Sequence, residues 1–506
     1  MRRVNVVVDG SPLTIEDVVA VASRNARPVA GPELEARMGP ARRVVAGAVE
    51  RGETVYGITT GFGAFASTRI DPSETRQLQV NLLRSHAAGV GEALADEVVR
   101  AMLLLRARTL AQGHSGVRPI LVERLIELLD RDLLPVVPAY GSVGASGDLA
   151  QFAHLALPLI GEGRIRSGGV ARPAAEALSD AGLDPVALEA KEGLSLLNGT
   201  EGMSALLCLA IARAERLTGV ADVAAAMSIE GLMGSARPFR PEIHSVRPHP
   251  GQIASAARIA RLLEGSEIGA SHADDFSHAV QDAYSLRCAP QVHGAVADTI
   301  AHVRRIVSTE IGSVVDNPIV FPESGDVLSG GNFHGQPLAF AADFLTIGVT
   351  ELGSISERRT DRLLDPERSA GLPAFLSPHP GLHSGYMLAQ YTAAALVAEN
   401  RVLSHPASVE SIPTSGSQED HVSMGWGAAR KLGEVLDNTT RVLAVELVCA
   451  VQGIEGRAPL HPAPLTAELA GIIRRQVPPL DADRPVGADV EEVASLIDGG
   501  AFDGFL

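Results

Sequence analysis

The sequence contains few aromatic residues and few cysteines. Only 4% of its 506 residues are Phe, Trp or Tyr, and its three cysteines are Cys208, Cys288 and Cys449. Because these cysteines are odd in number and far apart, they indicate neither a disulfide framework nor a Cys-x-x-Cys metal site. A reducing, cytoplasmic setting is therefore the expected one.

The sequence also lacks an excess of basic residues and a long apolar run. Lys and Arg total 43 against 60 Asp and Glu, which gives a formal net charge of −17. This balance disfavours a nucleic-acid partner. The apolar run after the first residues ends at Asp9, too early for a signal-peptide core, so we interpret it as a short strand. The stretch 442–454 contains Glu446 and is too short to cross a bilayer, so we expect no membrane segment.

Signals for α-helices dominate instead. From Val292 to Ile311 the apolar residues recur at spacings of three and four, which places them on one face of a helix. We predict further long helices at 93–112, 119–131, 148–160, 200–235, 337–359, 385–403 and 424–453. Such a set predicts a mainly α fold, a bundle of long helices.

Local signals mark where some of these elements begin and end. Thr14 and Asp17 have the spacing of a capping box, and Asp71-Pro72 is typical of a helix start. Gly89 and Gly113 lie where C-terminal caps are expected. The connections 236–253 and 361–384 are long for loops, and polar clusters occur at 59–63, 84–92, 196–202, 281–291, 330–335 and 417–424.

The stretch GSVGASGD, residues 141–148, allows three interpretations. Its glycine spacing is similar to that of a phosphate-binding loop, but Pro135 and Pro138 are incompatible with the central strand that should precede one, and no Lys-Ser/Thr pair follows. A flexible linker is the second interpretation. In the third, the backbone itself becomes a reagent.

In that chemical interpretation, the Gly147 nitrogen attacks the Ala145 carbonyl carbon and closes a five-membered ring. Loss of water from the ring and from Ser146 leaves an exocyclic methylene. Glycine supplies an unhindered nitrogen and tolerates the tight turn. A helix beginning near Asp148 would stabilise negative charge in the ring. The tripeptide alone leaves the linker and the chemical hypotheses open.

The surrounding sequence, GSVGASGDLAQFAHLALPLIGEG, closely resembles the signature of the aromatic amino acid ammonia-lyases. The resemblance covers most of the chain and includes VYGITTGFG (55–63), NLLRSHAAGVG (81–91), LSLLNGTEGM (194–203), QDAYSLRCAPQVHG (281–294), DNPIVF with SGGNFHGQP (316–337) and IPTSGSQEDHVSM (412–424). It implies a carbon–nitrogen lyase that makes the electrophile 4-methylidene-imidazol-5-one, or MIO, from Ala145, Ser146 and Gly147. Addition of the substrate amine to this electrophile splits a difficult elimination into several steps.

The resemblance also implies an architecture. It is fumarase/aspartase-like, an elongated bundle of long helices with a smaller mixed N-terminal region. We expect an N-terminal domain over 1–197, with the Tyr56 loop and the MIO tripeptide, and a central and C-terminal helical bundle over 198–506. The expected assembly is a homotetramer with shared active sites, and the expected partner is a small molecule, the amino acid substrate.

Two positions resemble the histidine-specific members of the family. Ser85-His86 matches their pair, where tyrosine lyases typically show His-Leu and phenylalanine lyases Phe-Leu. Glu419 stands where the other lyases usually have glutamine. A carboxylate and an imidazole can bind the N–H donor and the nitrogen acceptor of a substrate imidazole. The implied reaction converts L-histidine to trans-urocanate and ammonia, the first step of histidine degradation.

The resemblance assigns roles to further residues. Tyr56, on a loop that is mobile in the family, is the candidate base, although a phenol with a reference pKa of about 10 must be activated. Arg287 would hold the substrate carboxylate through two parallel hydrogen bonds. The residues expected around the ring and the electrophile are Asn198, Gln281, Tyr284 and Phe333.

Some of these residues also have structural interpretations. Asn198 could cap a helix, and Tyr56 could be a packed loop residue. The spacing of three from Gln281 to Tyr284 and on to Arg287 predicts successive turns of one helix that direct all three side chains to one region. Cys288 is expected to be a small buried residue.

Two departures from the family pattern leave the substrate open. Thr59 stands where many histidine enzymes have asparagine, and His293 where methionine is common. A tyrosine or phenylalanine lyase, or a related 2,3-aminomutase, therefore remains an alternative, and a catalytically silent helical scaffold is another. None of the 15 histidines belongs to an HExxH or close His/Cys pattern, so we expect no metal.

Overall fold

The computed structural model describes residues 4–61, 70–273 and 281–506. The fold is mainly α-helical, as predicted, and the chain divides into two compact units. Unit 1 contains the residues up to Leu209 with Arg305–Ala342 and Ala407–Arg430, and unit 2 contains Ala210–Arg304, Asp343–Pro406 and Lys431–Leu506. The expected N-terminal domain, 1–197, falls within unit 1, which also includes two later segments.

All strands in the described part of the chain lie in unit 1, where they form four small sheets. Val4–Val8, predicted as a strand, pairs in parallel with Ala26–Ala30. The remaining sheets are antiparallel: Val90–Ala93 with Pro138–Tyr140, Leu134–Pro135 with Arg164–Ser167 and Val170–Pro173, and Ile319–Phe321 with Asp326–Leu328. Pro135 and Pro138 both lie in edge strands, where a missing N–H is tolerated.

One helix of unit 1, Asp96–Ala111, is nearly fully buried. Every residue of this helix from Val98 to Ala111 is buried, and it packs against Ile15–Ala22 and Pro119–Asp130. A helix that is buried on all sides lies in a core. The other helices of unit 1 are Leu34–Glu50, Thr75–His86, Leu149–Ala156, Ala174–Asp180 and Glu192–Leu197.

Four long helices contribute residues to both units. They are Glu201–Gly231, Ala289–Glu310, Gln336–Leu364 and Gly425–Glu455. Each was predicted from the sequence with bounds that differ by a few residues. By length and composition, Gln336–Leu364 is the one helix of the described ranges that could cross a membrane, but 67% of its most apolar window is buried within the protein, as in a core helix.

The described residues of unit 2 form helices and no strands. Besides its share of the four long helices, these are Pro241–Ser245, Pro250–Leu262, Glu267–Ala270, Tyr284–Arg287, Met387–Leu403, Pro464–Arg474 and Val486–Asp498. The predicted connection 236–253 is therefore not a plain loop. Buried polar contacts link several of these helices: His293 Nδ1 lies 2.7 Å from Asp222 Oδ1, and Arg359 pairs with Glu446, all four side chains being fully buried.

The local signals had mixed outcomes. Thr14 and Asp17 form the predicted capping box. Gly113 follows Asp96–Ala111 with a φ of +81°, the left-handed conformation expected of a C-terminal cap. The prediction for Gly89 was wrong, because the preceding helix ends at His86 and Ala87 is its C-cap.

Candidate active site

A cavity of about 700 Å³ lies within unit 1. Its apolar wall is made by Ile70, Leu78, Leu82, Leu149, Leu194 and Leu197. Six of the residues predicted from the sequence also line it: Tyr56, His86, Ser146, Asn198, Phe333 and Glu419. Segments that are far apart in the sequence thus meet at one cavity, which includes the serine of the tripeptide.

The backbone of the tripeptide is held in an unusual conformation. Ser146 has a φ of +52° and Gly147 a φ of +79°, both in the left-handed region that favours glycine. A Cβ on Gly147 would lie 1.8 Å from the Gly199 carbonyl oxygen. The Gly199 N–H donates to the Ser146 carbonyl at 3.2 Å, and the Asp148 N–H donates to the Gly199 carbonyl at 2.9 Å. Only glycine therefore fits at position 147.

Asp148, which follows the tripeptide, is fully buried. Its Oδ2 accepts a hydrogen bond from the Met203 N–H at 2.8 Å, and its Oδ1 accepts one from Ser142 Oγ at 3.2 Å. Burial raises the pKa of this carboxyl to about 7, and the two hydrogen bonds oppose the increase. The helix Leu149–Ala156 begins directly after it, as predicted.

Asn198 is held at the cavity by residues of unit 1. Its Nδ2 donates to the Asn317 carbonyl at 3.2 Å, and its own carbonyl accepts from Arg106 Nη1 at 2.9 Å. The guanidinium of Arg106 is fully buried and pairs with Glu201 at 2.8 Å. The carbonyl and the side chain of Asn198 are thus both fixed. Asn198 is the C-cap of the helix Glu192–Leu197, and the next helix begins only at Glu201, so Asn198 is not its N-cap.

His86 and Glu419 face the same cavity from different segments. His86 Nδ1 lies 2.9 Å from the Leu82 carbonyl, which can only accept, so Nδ1 carries the proton. Burial lowers the pKa of His86, although this bond and the nearby Glu419 charge oppose the change. The neutral ring therefore presents Nε2 as an acceptor. Glu419 Oε2 accepts from Thr414 Oγ1 at 2.7 Å.

The segment that carries Tyr56 is fastened by Thr59, one of the two departures. Thr59 Oγ1 donates to the Glu53 carbonyl at 2.6 Å and accepts from the Val55 N–H at 2.9 Å. Tyr56 itself is half-buried at the cavity. The TTGFG cluster continues into residues 62 and 63, which lie outside the described residues.

The comparison with protein families matches residues 13–475 to the model described as aromatic amino acid lyase. The chain belongs to the aromatic amino acid lyase family. It is 54% identical to a histidine ammonia-lyase of Gloeobacter violaceus, over 98% of this chain and 96% of that protein.

Two solved structures are also similar to this chain. The histidine ammonia-lyase of Trypanosoma cruzi is 44% identical with a TM-score of 0.91, over 99% of this chain and 94% of that one. The tyrosine aminomutase of Streptomyces globisporus is 41% identical with a TM-score of 0.94, over 99% and 98%. The mainly α fold predicted from the sequence is thus that of known members.

The tripeptide of this aromatic amino acid lyase fits the MIO group that the family uses. Cyclisation brings the nitrogen of Gly147 to the carbonyl carbon of Ala145, which requires a tight turn. The positive φ angles of Ser146 and Gly147 provide such a turn. The contact with Gly199 leaves no room for a side chain on Gly147, whose nitrogen would close the ring. Ser146, which would supply the methylene of the MIO group, lines the cavity.

Five predicted site residues do not line this cavity: Ala145 and Gly147, which flank Ser146 in the tripeptide, and Gln281, Tyr284 and Arg287. Gln281 and Arg287 line a second one, of about 780 Å³, within unit 2. The Tyr284 side chain is 71% exposed, with the Arg287 guanidinium 4.7 Å from its ring centroid. The helix here is only Tyr284–Arg287, so the prediction that Gln281 continues it was wrong. Cys288, expected to be buried, is half-buried and lines the same second cavity.

Several cavity residues were missed as site residues. They are Asn81, Ser85, Asn317, Ser415 and Gly416. All of them lie in or beside motifs that resemble the family, and Asn317 follows Asp316 in DNPIVF, so the motifs themselves were the available signal. Among residues 4–61, 70–273 and 281–506, no group of three or more His, Cys, Asp or Glu could hold a metal ion.

Proposed function

We propose that this chain is a histidine ammonia-lyase, which converts L-histidine to trans-urocanate and ammonia. The observation that carries the proposal is that His86 and Glu419 line the same cavity as Ser146. Two polar groups suited to an imidazole ring therefore lie beside the tripeptide. The name of the relative from Gloeobacter violaceus supports the same substrate.

The MIO group formed from Ala145, Ser146 and Gly147 supplies an electrophilic carbon for the substrate amine. His86 Nε2 and Glu419 are both hydrogen-bond acceptors, so they bind the ring in its protonated form, with one ring N–H directed at each. Asn198 orients the substrate. The Tyr56 hydroxyl, once deprotonated, accepts the β-proton. Phe333 and the apolar wall exclude water around the reacting atoms.

The substrate carboxylate needs a cation, and Arg287 remains the proposed one. Because Gln281 and Arg287 line a cavity of unit 2 and Tyr284 is largely exposed, we assign these three to the active site of a neighbouring subunit. The enzyme would then be a homotetramer with shared sites. We further propose that it acts in the cytoplasm, in the first step of histidine degradation, without a metal.

One observation supports a second candidate function. The tyrosine aminomutase of Streptomyces globisporus is 41% identical and has a TM-score of 0.94. An aminomutase would return the amine to the β-carbon rather than release ammonia. The pair His86 and Glu419 favours a substrate with a polar ring. Whether the amine is released as ammonia or returned to the β-carbon is decided by analysis of the products.

The test is to incubate the purified enzyme with L-histidine and to quantify trans-urocanate by its near-ultraviolet absorbance, together with ammonia. Equal amounts of both products are expected. Ser146→Ala should abolish both while leaving the helical circular-dichroism signal unchanged. A β-amino acid formed without ammonia would favour the aminomutase, and no turnover of L-histidine would refute the proposal.

A further inference from the structure

The segment before Glu419 is a tight loop closed by two backbone hydrogen bonds. The Thr414 N–H donates to the Glu419 carbonyl at 2.9 Å, and the Glu419 N–H donates to the Thr414 carbonyl at 3.3 Å. Between them, Ser415, Gly416 and Ser417 all have positive φ values of 51°, 62° and 66°. Three such residues in succession fix the path of the chain, and strained loops of this kind occur at functional sites.

The Thr414 side chain adds a third bond across this loop. Its Oγ1 donates to Glu419 Oε2 at 2.7 Å. A hydrogen bond to an ionised carboxylate is stronger than one between neutral groups. Since Oε2 is engaged with Thr414, Oε1 is the oxygen left for a ligand in the cavity. The terminal torsion angle of a glutamate side chain otherwise has a broad distribution, and the bond to Thr414 restricts it.

His86, the other polar group for the ring, is oriented in the same manner by its own segment. Its Nδ1 donates to the Leu82 carbonyl at 2.9 Å, so Nε2 is directed away from that bond. Each of the two side chains therefore uses one polar atom to hold itself and keeps the other for the ligand. Pre-orientation of this kind lowers the entropy lost on binding.

We propose that Thr414 is a positioning residue that holds the Glu419 carboxylate so that Oε1 meets an N–H of the substrate imidazole. The inference rests on the proposed function, since it takes the ligand of Glu419 to be an imidazole ring. Thr414 acts through Glu419 and does not touch the substrate ring. Its hydroxyl therefore matters for catalysis only while the carboxylate is present.

Two substitutions separate the hydroxyl from the fold of the loop. Thr414→Val has nearly the same shape and keeps both backbone bonds to residue 419, but it lacks the hydroxyl. Thr414→Ser keeps the hydroxyl. Thr309→Val is the matched control, because Thr309 is exposed and its hydroxyl donates to the Arg305 carbonyl in its own helix.

The test measures kcat and KM for L-histidine in these full-length variants and in Glu419→Ala backgrounds. Thr414→Val should raise KM about tenfold, the loss of one hydrogen bond to a charged group. Thr414→Ser and Thr309→Val should stay near the unaltered enzyme. In Glu419→Ala, the further change Thr414→Val should have no effect.

An equal loss from Thr414→Val with and without Glu419 would show a purely structural role and would overturn the inference. Unchanged kinetics in Thr414→Val would overturn it too. Failure of the proposed function is distinguished from both, because it appears as no turnover of L-histidine by the unaltered enzyme. In that case the same variants are measured with the amino acid that the enzyme does convert. The inference then still requires that Thr414→Val has an effect only when Glu419 is present.

Discussion

Gly147 lies against Gly199 so closely that a Cβ added at Gly147 would come within 1.8 Å of the Gly199 carbonyl oxygen. The same carbonyl accepts the N–H of Asp148 at 2.9 Å, so it cannot move away without losing a buried hydrogen bond. The nitrogen proposed to close the MIO ring is thus held in place by a segment that also carries Asn198.

Gly147→Ala should therefore prevent formation of the electrophile. The added methyl group meets backbone atoms, and the φ of +79° is strained for alanine. We expect unmodified tripeptide in the mass spectrum, no turnover and a lower melting temperature. Gly471→Ala is the control, since its Cβ would meet no atom within 4 Å and alanine favours the helix Pro464–Arg474. A fully active Gly147→Ala would contradict this account of the tripeptide.

His86→Leu and Glu419→Gln should each lower kcat/KM for L-histidine. The leucine offers no acceptor to the ring, and the amide is a weaker acceptor than the carboxylate. Because an unpaired polar group in a closed site is costly, we expect losses of at least about 100-fold for His86→Leu. Steady-state kinetics with L-histidine and L-phenylalanine measure this effect. An equal loss for both amino acids would show that these side chains do not select the ring.

Asp148 should make stability depend on pH in the Ser146→Ala background, where no ring forms. Its folded pKa is raised from 3.8 to about 7, so the folded state binds more protons than the unfolded state between these values. Stability should therefore fall as the pH rises from about 4 to 7, by up to about 4 kcal/mol from this group. Urea unfolding at several pH values measures the slope.

The control for that slope is Asp148→Asn, whose side chain does not titrate. In the Ser146→Ala background it should flatten the decline between pH 4 and 7 that Asp148 causes. A slope that persists unchanged in Asp148→Asn would assign the pH dependence to other groups.

His293→Met should destabilise unit 2 rather than change the substrate. His293 Nδ1 is 2.7 Å from Asp222 Oδ1, and both side chains are fully buried. Methionine, the common family residue, removes one partner of that carboxylate, which keeps Ser255 Oγ and Arg258, at a cost of about 1–2 kcal/mol. Thermal unfolding compared with His249→Met, an exposed histidine, measures the difference. A changed preference among amino acids at unchanged stability would instead give His293 a role in specificity.

The helices were predictable because their signals are local. The apolar spacing from Val292 to Ile311 corresponds to Ala289–Glu310, and Thr14 with Asp17 form their capping box. The site residues were named through the resemblance of short motifs. His86, Ser146 and Glu419 indeed line one cavity, although their catalytic roles stay predictions.

What could not be predicted depends on contacts between distant segments. The two units are discontinuous because later parts of the chain, such as Ala407–Arg430, pack with the first 200 or so residues. The regular spacing of Gln281, Tyr284 and Arg287 suggested a helix, but only four residues adopt one. Thr414 carries no periodic signal, and its contact with Glu419 follows from a turn of three residues with positive φ.

The most direct test of the account is kcat/KM of the unaltered enzyme for L-histidine, L-tyrosine and L-phenylalanine, each followed by the near-ultraviolet absorbance of its conjugated acid. The cavity that holds His86, Glu419 and Ser146 predicts a preference for L-histidine of at least about 100-fold. Equal or faster turnover of L-tyrosine would contradict the assignment of histidine as the substrate.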